Sequence, residues 1–306
     1  MFKRYELHNH TTESDALITP AELIEKMAAD GVDCFAITDH NTISGHRIIQ
    51  KLLQEKNLPL QCAYGMEYTT YFGHIVCPIL NTYVPWDSID RRHPERLFAA
   101  CKAAGGITGV AHPFSYGAPF AQGCRFEMDL SDFSNVDFVE VINNPEPLHE
   151  VNAPAIRWWE ELVLNGTRVS ACAGMDLHKM ETPMAMRFAT YAVGEAGGDA
   201  IEELRTALAQ QQTWVSKGML LCWAVEGDQI CFTLCDQHKP GFIPSERYIM
   251  TLKSKDGVRE FDLTDGSLTL AANDLGEIEI PKLYGNDVTL DNLVCIAPVI
   301  YKTEGE

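Results

Sequence analysis

The strongest constraint on this chain is a repeated alternation of short apolar runs with helix-like segments, which continues to about residue 213. Such alternation is typical of successive β-α units and predicts an α/β fold. We predict seven strands in this part, enough to close a barrel. They cover residues 5–8, 34–38, 61–65, 109–111, 138–142, 169–172 and 188–192.

Between the first two predicted strands, the sequence carries the signals of a helix start. Thr19 is a favourable N-cap residue, and Pro20 follows at the first helical position, where its missing N–H costs nothing. Leu23, Ile24 and Met27 then form one apolar stripe. The segment is therefore predicted to be a helix that packs on the sheet.

The pattern changes after Trp214. From Gly218 onward, short β-prone runs are separated by turn dipeptides such as Asp256-Gly257 and Asp265-Gly266, and no helical period survives. We therefore predict two domains: residues 1–214 form the barrel, and residues 215–306 form a small antiparallel β domain resembling a sandwich.

Charge and composition restrict the partners. Lys and Arg total 24 against 43 Asp and Glu, a formal net charge of −19, which disfavours a long nucleic acid. A small phosphorylated substrate remains compatible, because bound metal ions reverse the potential locally. There is no run of about 18 apolar residues and no signal-peptide pattern, so we expect a cytoplasmic protein without a membrane partner. The oligomeric state is left open.

Metal-competent side chains follow five of the predicted strands. His8 and His10 form an H-x-H pair at the end of the first strand, where residues two apart project to the same side. The other positions follow later strands or the loop after the first. They are Asp15, Asp39-His40, Glu67, His112 and Asp176-x-His178.

The C-terminal ends of strands in a parallel barrel converge on one rim, so these distant residues are expected to become neighbours. Each residue alone has an ordinary explanation, such as a helix cap or a strand-end hydrogen bond. Recurrence at five strand ends favours a metal centre instead. Imidazole and carboxylate ligands suit Zn, Mn or Fe, and Glu67 can bridge two ions.

The ordered motifs resemble those of the polymerase and histidinol phosphatase (PHP) superfamily across roughly the first two-thirds of the chain. The matching strings are His8-Asn9-His10-Thr11, Asp15, Thr38-Asp39-His40-Asn41, Gly65-Met66-Glu67, Ala111-His112-Pro113 and Gly174-Met175-Asp176-Leu177-His178. The resemblance implies a distorted (β/α)7 barrel and two or three divalent metal ions. The run from Thr213 to Leu220 is similar to a subset with an added β-sandwich, which includes a carbamate-insecticide hydrolase.

The resemblance also implies how the ligands are divided. The first ion would be held by His8, His10, Glu67 and Asp176; the second by Glu67, His74 and His112; the third by Asp15, His40 and His178. His74 has an alternative interpretation as a hydrogen-bonded strand histidine. For Asp39, we expect a role in orienting an imidazole rather than direct ligation.

These expectations lead to a hydrolase of phosphate esters that acts on a small metabolite or nucleotide through a metal-activated hydroxide. His178 and His74 are the candidate proton donors, and Lys179 and Arg187 are candidates for binding phosphate. An alternative is the same metal chemistry on a carbamate, amide or carboxylic ester. A third is a non-catalytic metal-binding module.

Overall fold

The computed structural model describes residues 1–80, 82–87, 89–117, 122–180 and 187–302, and shows a mixed α/β fold. The α-helices of these residues are α1 (Pro20–Ala29), α2 (Gly45–Lys56), α3 (Glu95–Ala103), α4 (Ala153–Leu164) and α5 (Ala200–Ala209). A π-helical turn, Leu148–Asn152, leads into α4, and a 3-10 turn covers Ala272–Asp274. None of the helices within these ranges is both long and apolar enough to cross a membrane.

Among the described residues, nine strands lie in the part of the chain predicted to alternate. They are β1 (Phe2–Glu6), β2 (Cys34–Ile37), β3 (Gln61–Tyr64), β4 (Met66–Thr70), β5 (Gly73–Ile79), β6 (Ile107–Val110), β7 (Phe138–Asn143), β8 (Ser170–Gly174) and β9 (Ala189–Val193). Each of the seven predicted strands overlaps one of these. The additional pair, β4 and β5, is an antiparallel hairpin.

The strands near the N-terminus form two arrays. In the first, β1, β2 and β3 are parallel, and β9 joins β1 antiparallel. In the second, β6, β7 and β8 are parallel, and the hairpin joins β6 antiparallel through β5. Both arrays bring strand ends to one region, although the antiparallel members depart from the all-parallel barrel used in the prediction.

The two arrays meet at two seams. At one seam, the Leu80 N–H donates to the Tyr64 carbonyl at 2.8 Å. At the other, the Thr190 hydroxyl bridges β9 to β8 by accepting from the Ala173 N–H at 2.9 Å. The described strands therefore form separate hydrogen-bonded sheets and no closed barrel.

Helix α1 begins as its sequence predicts. The Thr19 side chain accepts from the Glu22 N–H, and the Glu22 carboxylate accepts from the Thr19 N–H, which completes a capping box. Leu23, Ile24 and Met27 are fully buried in a cluster that also contains Phe35 of β2. The stripe thus fixes α1 on the outside of the first array.

The C-terminal part is rich in antiparallel strands. They are β10 (Trp214–Ser216), β11 (Met219–Glu226), β12 (Gln229–Asp236), β13 (Tyr248–Ser254), β14 (Gly257–Asp262), β15 (Ser267–Ala271), β16 (Ile278–Gly285), β17 (Leu293–Ile296) and β18 (Ile300–Tyr301). Strands β11, β12 and β15 form a three-stranded sheet.

The N-terminal and C-terminal parts share one sheet, because β10 pairs with β9 on one side and with β17 on the other. The predicted domain boundary between residues 214 and 215 therefore falls inside β10. Trp214 packs in the same core cluster as Tyr191 and Leu283, which lie on strands of the two parts. Apolar surface from both sides of the predicted boundary is thus buried together.

Candidate metal centre

The H-x-H segment is held rigidly just beyond the end of β1. The Asn9 side chain donates to the carbonyls of Glu6 and Ala36 at 3.1 and 3.0 Å, and the His10 N–H donates to Leu177 at 3.1 Å. These bonds keep His8 and His10 adjacent, with ring centroids 5.1 Å apart. Both histidines are fully buried.

The other predicted ligands come from separate elements, and the structure brings them to the same place. His40 follows β2, Glu67 lies on β4, His74 on β5, His112 after β6, and Asp176 and His178 after β8. Four overlapping groups have ligand atoms within 4.8 Å of one another. They are His10, Asp15, His40 and His178; His8, His112 and Asp176; His8, His10 and Glu67; and His40, Glu67 and His74.

In the group expected for the first ion, two carboxylate oxygens face the same two imidazole nitrogens. Oε2 of Glu67 lies 3.2 Å from Nε2 of His8 and 3.3 Å from Nε2 of His10. Oδ1 of Asp176 lies 3.6 Å and 3.1 Å from the same two nitrogens. All four atoms are buried and have no hydrogen-bond partner among the described residues.

These orphaned atoms fit a divalent cation. Burial of an unpaired carboxylate oxygen or imidazole nitrogen is costly, so a group of four facing one another requires a compensating partner. Tetrahedral zinc with bonds of about 2.0–2.1 Å places its ligand atoms about 3.3 Å apart. The measured separations match that spacing, and the donor set is one that transition metals accept.

The carboxylate of Glu67 lies between the ligand groups expected for two different ions. Its Oε1 lies 2.9 Å from Nδ1 of His74 and 3.2 Å from Nε2 of His112, the group expected for a second ion. Its Oε2 is also 2.9 Å from Nδ1 of His40, in an ion-pair contact that lacks hydrogen-bond geometry. The contact of His74 with Glu67 fits either a metal ligand or a hydrogen-bonded strand histidine.

The ligand group expected for the third ion is the most exposed to solvent. Oδ1 of Asp15 lies 3.5 Å from Nε2 of His40 and 3.3 Å from Nε2 of His178. The Asp15 and His178 side chains are 59% and 34% exposed, whereas Glu67 is fully buried. This group therefore faces the solvent side of the centre.

Burial and neighbouring charges set the protonation of the centre. Burial alone would raise the pKa of Glu67, but the imidazoles of His8 and His74 hold it well below its ordinary value. Burial lowers the pKa of His10 to about 4, which leaves its ring neutral near pH 7. Burial would also lower the pKa of His112, yet the hydrogen bond and charge of Glu67 raise it to about 9.

A cavity of about 1070 Å³ opens onto these residues. Lys179 and Arg187, the two predicted phosphate contacts, both line it. Its lining also includes Ser115 and Glu146, whose side chains are hydrogen-bonded to each other. The volume is at the upper end of the range for small-molecule sites and exceeds what inorganic phosphate needs.

The Asp39 carboxylate is hydrogen-bonded to the loop that follows β1. Its carboxylate accepts from the Thr11 N–H at 2.7 Å and from the Thr11 and Ser14 hydroxyls at 2.8 and 2.7 Å. Among the described hydrogen bonds, these go to the loop that carries Asp15 rather than to an imidazole. The expected role of Asp39 in orienting an imidazole therefore stays a prediction.

Sequence reasoning missed two polar residues on β7. Glu140 lies 3.0 Å from Nδ1 of His8, and Asn143 donates to Asp176 at 3.2 Å. Both are buried. Glu140 could have been noticed because it is a carboxylate in the middle of an apolar predicted strand. Such a group is rarely buried without a partner.

Parts of this chain are similar in sequence to known proteins. The family model described as PHP domain matches residues 6–113. The chain is 30% identical over 149 residues to an uncharacterized protein of Methanocaldococcus jannaschii, covering 45% of this chain and 80% of that protein. It is 37% identical over 95 residues to a 5'-3' exoribonuclease of Haemophilus influenzae, covering 31% of this chain. That match spans only 32% of the exoribonuclease.

Among solved structures, one match extends over nearly the whole chain. It is a two-domain protein of Bacteroides vulgatus, described as containing a "predicted PHP-like metal-dependent phosphoesterase". The TM-score is 0.55 at 15% identity, with 98% of this chain and 95% of that chain covered, which supports the overall fold. The chain belongs to the PHP family.

Proposed function

We propose that this protein is a metal-dependent hydrolase of phosphate esters, acting on a small phosphorylated metabolite or nucleotide. The observation that carries the proposal is the set of buried, unpartnered ligand atoms on His8, His10, Glu67 and Asp176. A structural ion pair would use hydrogen bonds to satisfy these atoms. Their convergence beside an open cavity supports a reactive centre instead.

The proposed cofactor is two or three divalent ions, Zn, Mn or Fe, grouped as the sequence analysis assigned them. Such ions would lower the pKa of a coordinated water and polarise the phosphoryl oxygens. Glu67 remains ionised and offers one oxygen to each of two groups. Neutral His10 offers a lone pair without first losing a proton.

The chain's own residues would also bind and protonate the substrate. Lys179 and Arg187 line the cavity and supply positive charge for the phosphoryl group. His178, with a side chain 34% exposed, is better placed than His74, at 9%, to give a proton to the leaving oxygen. That role is open to His178 when two ions rather than three are bound.

The cavity supports a substrate larger than a simple phosphate. Three relatives at 31–37% identity are named 5'-3' exoribonucleases, and this favours a nucleotide or the end of a short RNA as a second candidate substrate. The net charge of −19 weighs against long duplexes. A carbamate, amide or ester substrate, and a non-catalytic metal-binding role, remain the competing proposals.

The test is a hydrolysis panel on protein stripped of metal and reloaded separately with Zn²⁺, Mn²⁺ or Fe²⁺. The panel contains nucleoside monophosphates, sugar phosphates, a 5′-phosphorylated oligoribonucleotide and aryl carbamates. We expect phosphate release that requires metal and is lost in Asp176→Ala. Turnover of the carbamates alone would contradict the proposal.

The matched control is Asp262→Ala, which removes an exposed carboxylate paired with Arg247 on the distant strand β14. It should keep the wild-type rate. A wild-type protein that binds metal and hydrolyses no member of the panel would instead support the non-catalytic module, and wild-type activity in Asp176→Ala would show that Asp176 is not needed for catalysis.

A further inference from the structure

Glu140 is a buried carboxylate at an irregular point of the sheet. It lies on β7 between Val139 and Val141, is 2% exposed, and sits where the pairing of β7 with β8 shifts register. A carboxylate in such an apolar strand is costly unless its oxygens are hydrogen-bonded. The described partners of Glu140 belong to the metal centre or lie beside it.

The first partner is His8. Oε1 of Glu140 is 3.0 Å from Nδ1 of His8. An ionised carboxylate only accepts hydrogen bonds, so Nδ1 carries the proton. The lone pair of Nε2 is then free, and Nε2 is the atom that faces Glu67 and Asp176. Glu140 therefore selects the tautomer that a metal requires.

The second partner is the backbone of His112. Its N–H donates to Oε2 of Glu140 at 2.8 Å. His112 has a φ of 24°, outside the regions that side-chain-bearing residues favour. The hydrogen bond helps to hold this strained conformation, which turns the imidazole toward Glu67.

The third connection runs through Asn143 to Asp176. The Asn143 amide donates to Oε2 of Glu140 and to Oδ2 of Asp176, both at 3.2 Å. Oδ1 of Asp176 is left facing His8 and His10. One carboxylate thus reaches His8, His112 and Asp176, which form one of the convergent ligand groups.

Gly174 makes room for this arrangement. A Cβ atom at this position would lie 1.6 Å from Oε1 of Glu140 and 2.9 Å from Cβ of His8. Any side chain would therefore displace Glu140 from His8. This explains why a glycine stands two residues before Asp176.

We infer that Glu140 is a positioning residue that presets three ligands of the metal centre, His8, His112 and Asp176. The inference rests on the proposed metal centre and goes beyond it by assigning the tautomer of His8 and the reason for Gly174. Glu140 itself does not need to touch the ion or the substrate.

The sharpest variant is Glu140→Gln, which keeps the shape but replaces one acceptor with an NH₂ donor. Both oxygens of the Glu140 carboxylate accept hydrogen bonds. In the glutamine, the NH₂ group must therefore face either Nδ1 of His8 or the two donors at Oε2, which are the His112 N–H and the Asn143 amide. Facing His8, it would move the imidazole proton to Nε2 and block ligation. We expect Zn²⁺ affinity to fall about 10- to 100-fold.

Isothermal titration of the metal-stripped full-length protein with Zn²⁺ measures this loss. Gly174→Ala should weaken Zn²⁺ binding similarly, and it serves as the second variant if Glu140→Gln does not fold. Glu160→Gln is the matched control, because Glu160 is also 2% exposed but contacts Lys253 and Lys282 instead of the centre. It should bind Zn²⁺ like the wild type.

A second readout needs no variant. Two-bond ¹H–¹⁵N correlation spectra of histidine-labelled, Zn²⁺-loaded wild-type protein should show His8 protonated on Nδ1. Protonation on Nε2 would overturn the inference, as would wild-type Zn²⁺ affinity in Glu140→Gln and Gly174→Ala. An equal loss of affinity in Glu160→Gln would overturn it too.

The two proposals can fail separately. If the wild type binds Zn²⁺ but hydrolyses no phosphate ester, the proposed function fails while the role of Glu140 is still measurable. If Glu140→Gln binds Zn²⁺ normally, the inference fails while phosphate release from the wild type is untouched.

Discussion

At the scale of residues, the centre is a balance between buried carboxylates and the imidazoles that surround them. Glu67 and Asp176 both have pKa values held well below the ordinary range, although burial alone would raise them. For both, His8 exerts the largest lowering influence. The carboxylates are therefore ionised across the physiological range and ready to bind a cation.

Asp176→Asn tests this balance with little change in shape. The neutral amide is a weak ligand and places an NH₂ group near the nitrogens of His8 and His10. We expect the Zn²⁺ affinity to fall by at least about 100-fold, the upper end of the loss for an outer hydrogen-bond partner. Calorimetric titration measures it, with Asp262→Asn as an exposed control. Wild-type affinity in Asp176→Asn would show that this carboxylate is not a ligand.

The pKa of His112 predicts a pH dependence. With a pKa of about 9 in the metal-free protein, His112 carries a proton at pH 7, and a ligand imidazole must release it. Metal affinity should therefore rise between pH 7 and 9, by at most about tenfold per pH unit for this proton. Titrations at pH 7 in buffers of different ionisation enthalpy should show proton release. No release would contradict the assignment of His112 as a ligand.

Most of the candidate ligands could be found from the sequence because they follow strands. His8, His40 and Asp176 are recognisable as polar residues after apolar runs. Glu140 and Asn143 were not found, because they lie within and at the end of a strand whose burial is set by tertiary packing. The function of Asp39 also depends on a loop conformation that spacing does not reveal.

At the scale of elements, strand positions were predictable but strand directions were not. Apolar runs mark β2, β3 and β7 clearly, since periodicity reports burial. The direction of β9 beside β1 and of β5 beside β6 depends on pairing partners far apart in sequence. The hairpin β4–β5, which supplies Glu67 and His74, was missed as a pair of strands although the two are adjacent in sequence, because Tyr71-Phe72 between them is not a typical turn dipeptide.

One ion-pair network joins the N-terminal and C-terminal parts. Glu160 of α4 is 2.6 Å from Lys253 on β13 and 2.5 Å from Lys282 on β16. Glu160→Ala would leave two cations without their partner. We expect a loss of about 3 kcal/mol in unfolding free energy, at the low end for a buried pair because Lys253 is 29% exposed.

Chemical denaturation measures that loss, and Glu55→Ala is the control. Glu55 pairs with Lys51 on the exposed face of α2, where the side chains are 58% and 76% exposed. Its removal should cost at most about 0.5 kcal/mol. Equal losses of unfolding free energy from the two substitutions would mean that the ion-pair network does not stabilise the contact of α4 with the C-terminal strands.

At the scale of the whole molecule, metal binding and folding should be coupled. The ligands come from β4, β5 and the segments after β1, β2, β6 and β8, so they converge only in the folded chain. An ion that binds only the folded state adds about 2.7 kcal/mol at 100 times its Kd. Added Zn²⁺ or Mn²⁺ should therefore raise the Tm, and a chelator should reverse the increase. An unchanged Tm at saturating metal would contradict this coupling.

The sheet shared by the N-terminal and C-terminal parts also limits how far the chain can be divided into domains. Strand β10 connects β9 to β17, and Trp214 is buried with residues from both parts. The short β-prone runs separated by turn dipeptides mark where the antiparallel strands begin. They do not show which earlier strand these strands pair with. The C-terminal part therefore extends the sheet whose strands β1 and β2 lead into His8, His10 and His40.

The central claim is that the buried atoms of His8, His10, Glu67 and Asp176 surround a divalent ion. Anomalous X-ray diffraction from crystals grown with Zn²⁺ or Mn²⁺ tests it directly. The account predicts an anomalous peak about 2.0–2.2 Å from Nε2 of both histidines and from the two carboxylates. An absence of any peak between these atoms at saturating metal, with the side chains placed as described, would contradict it.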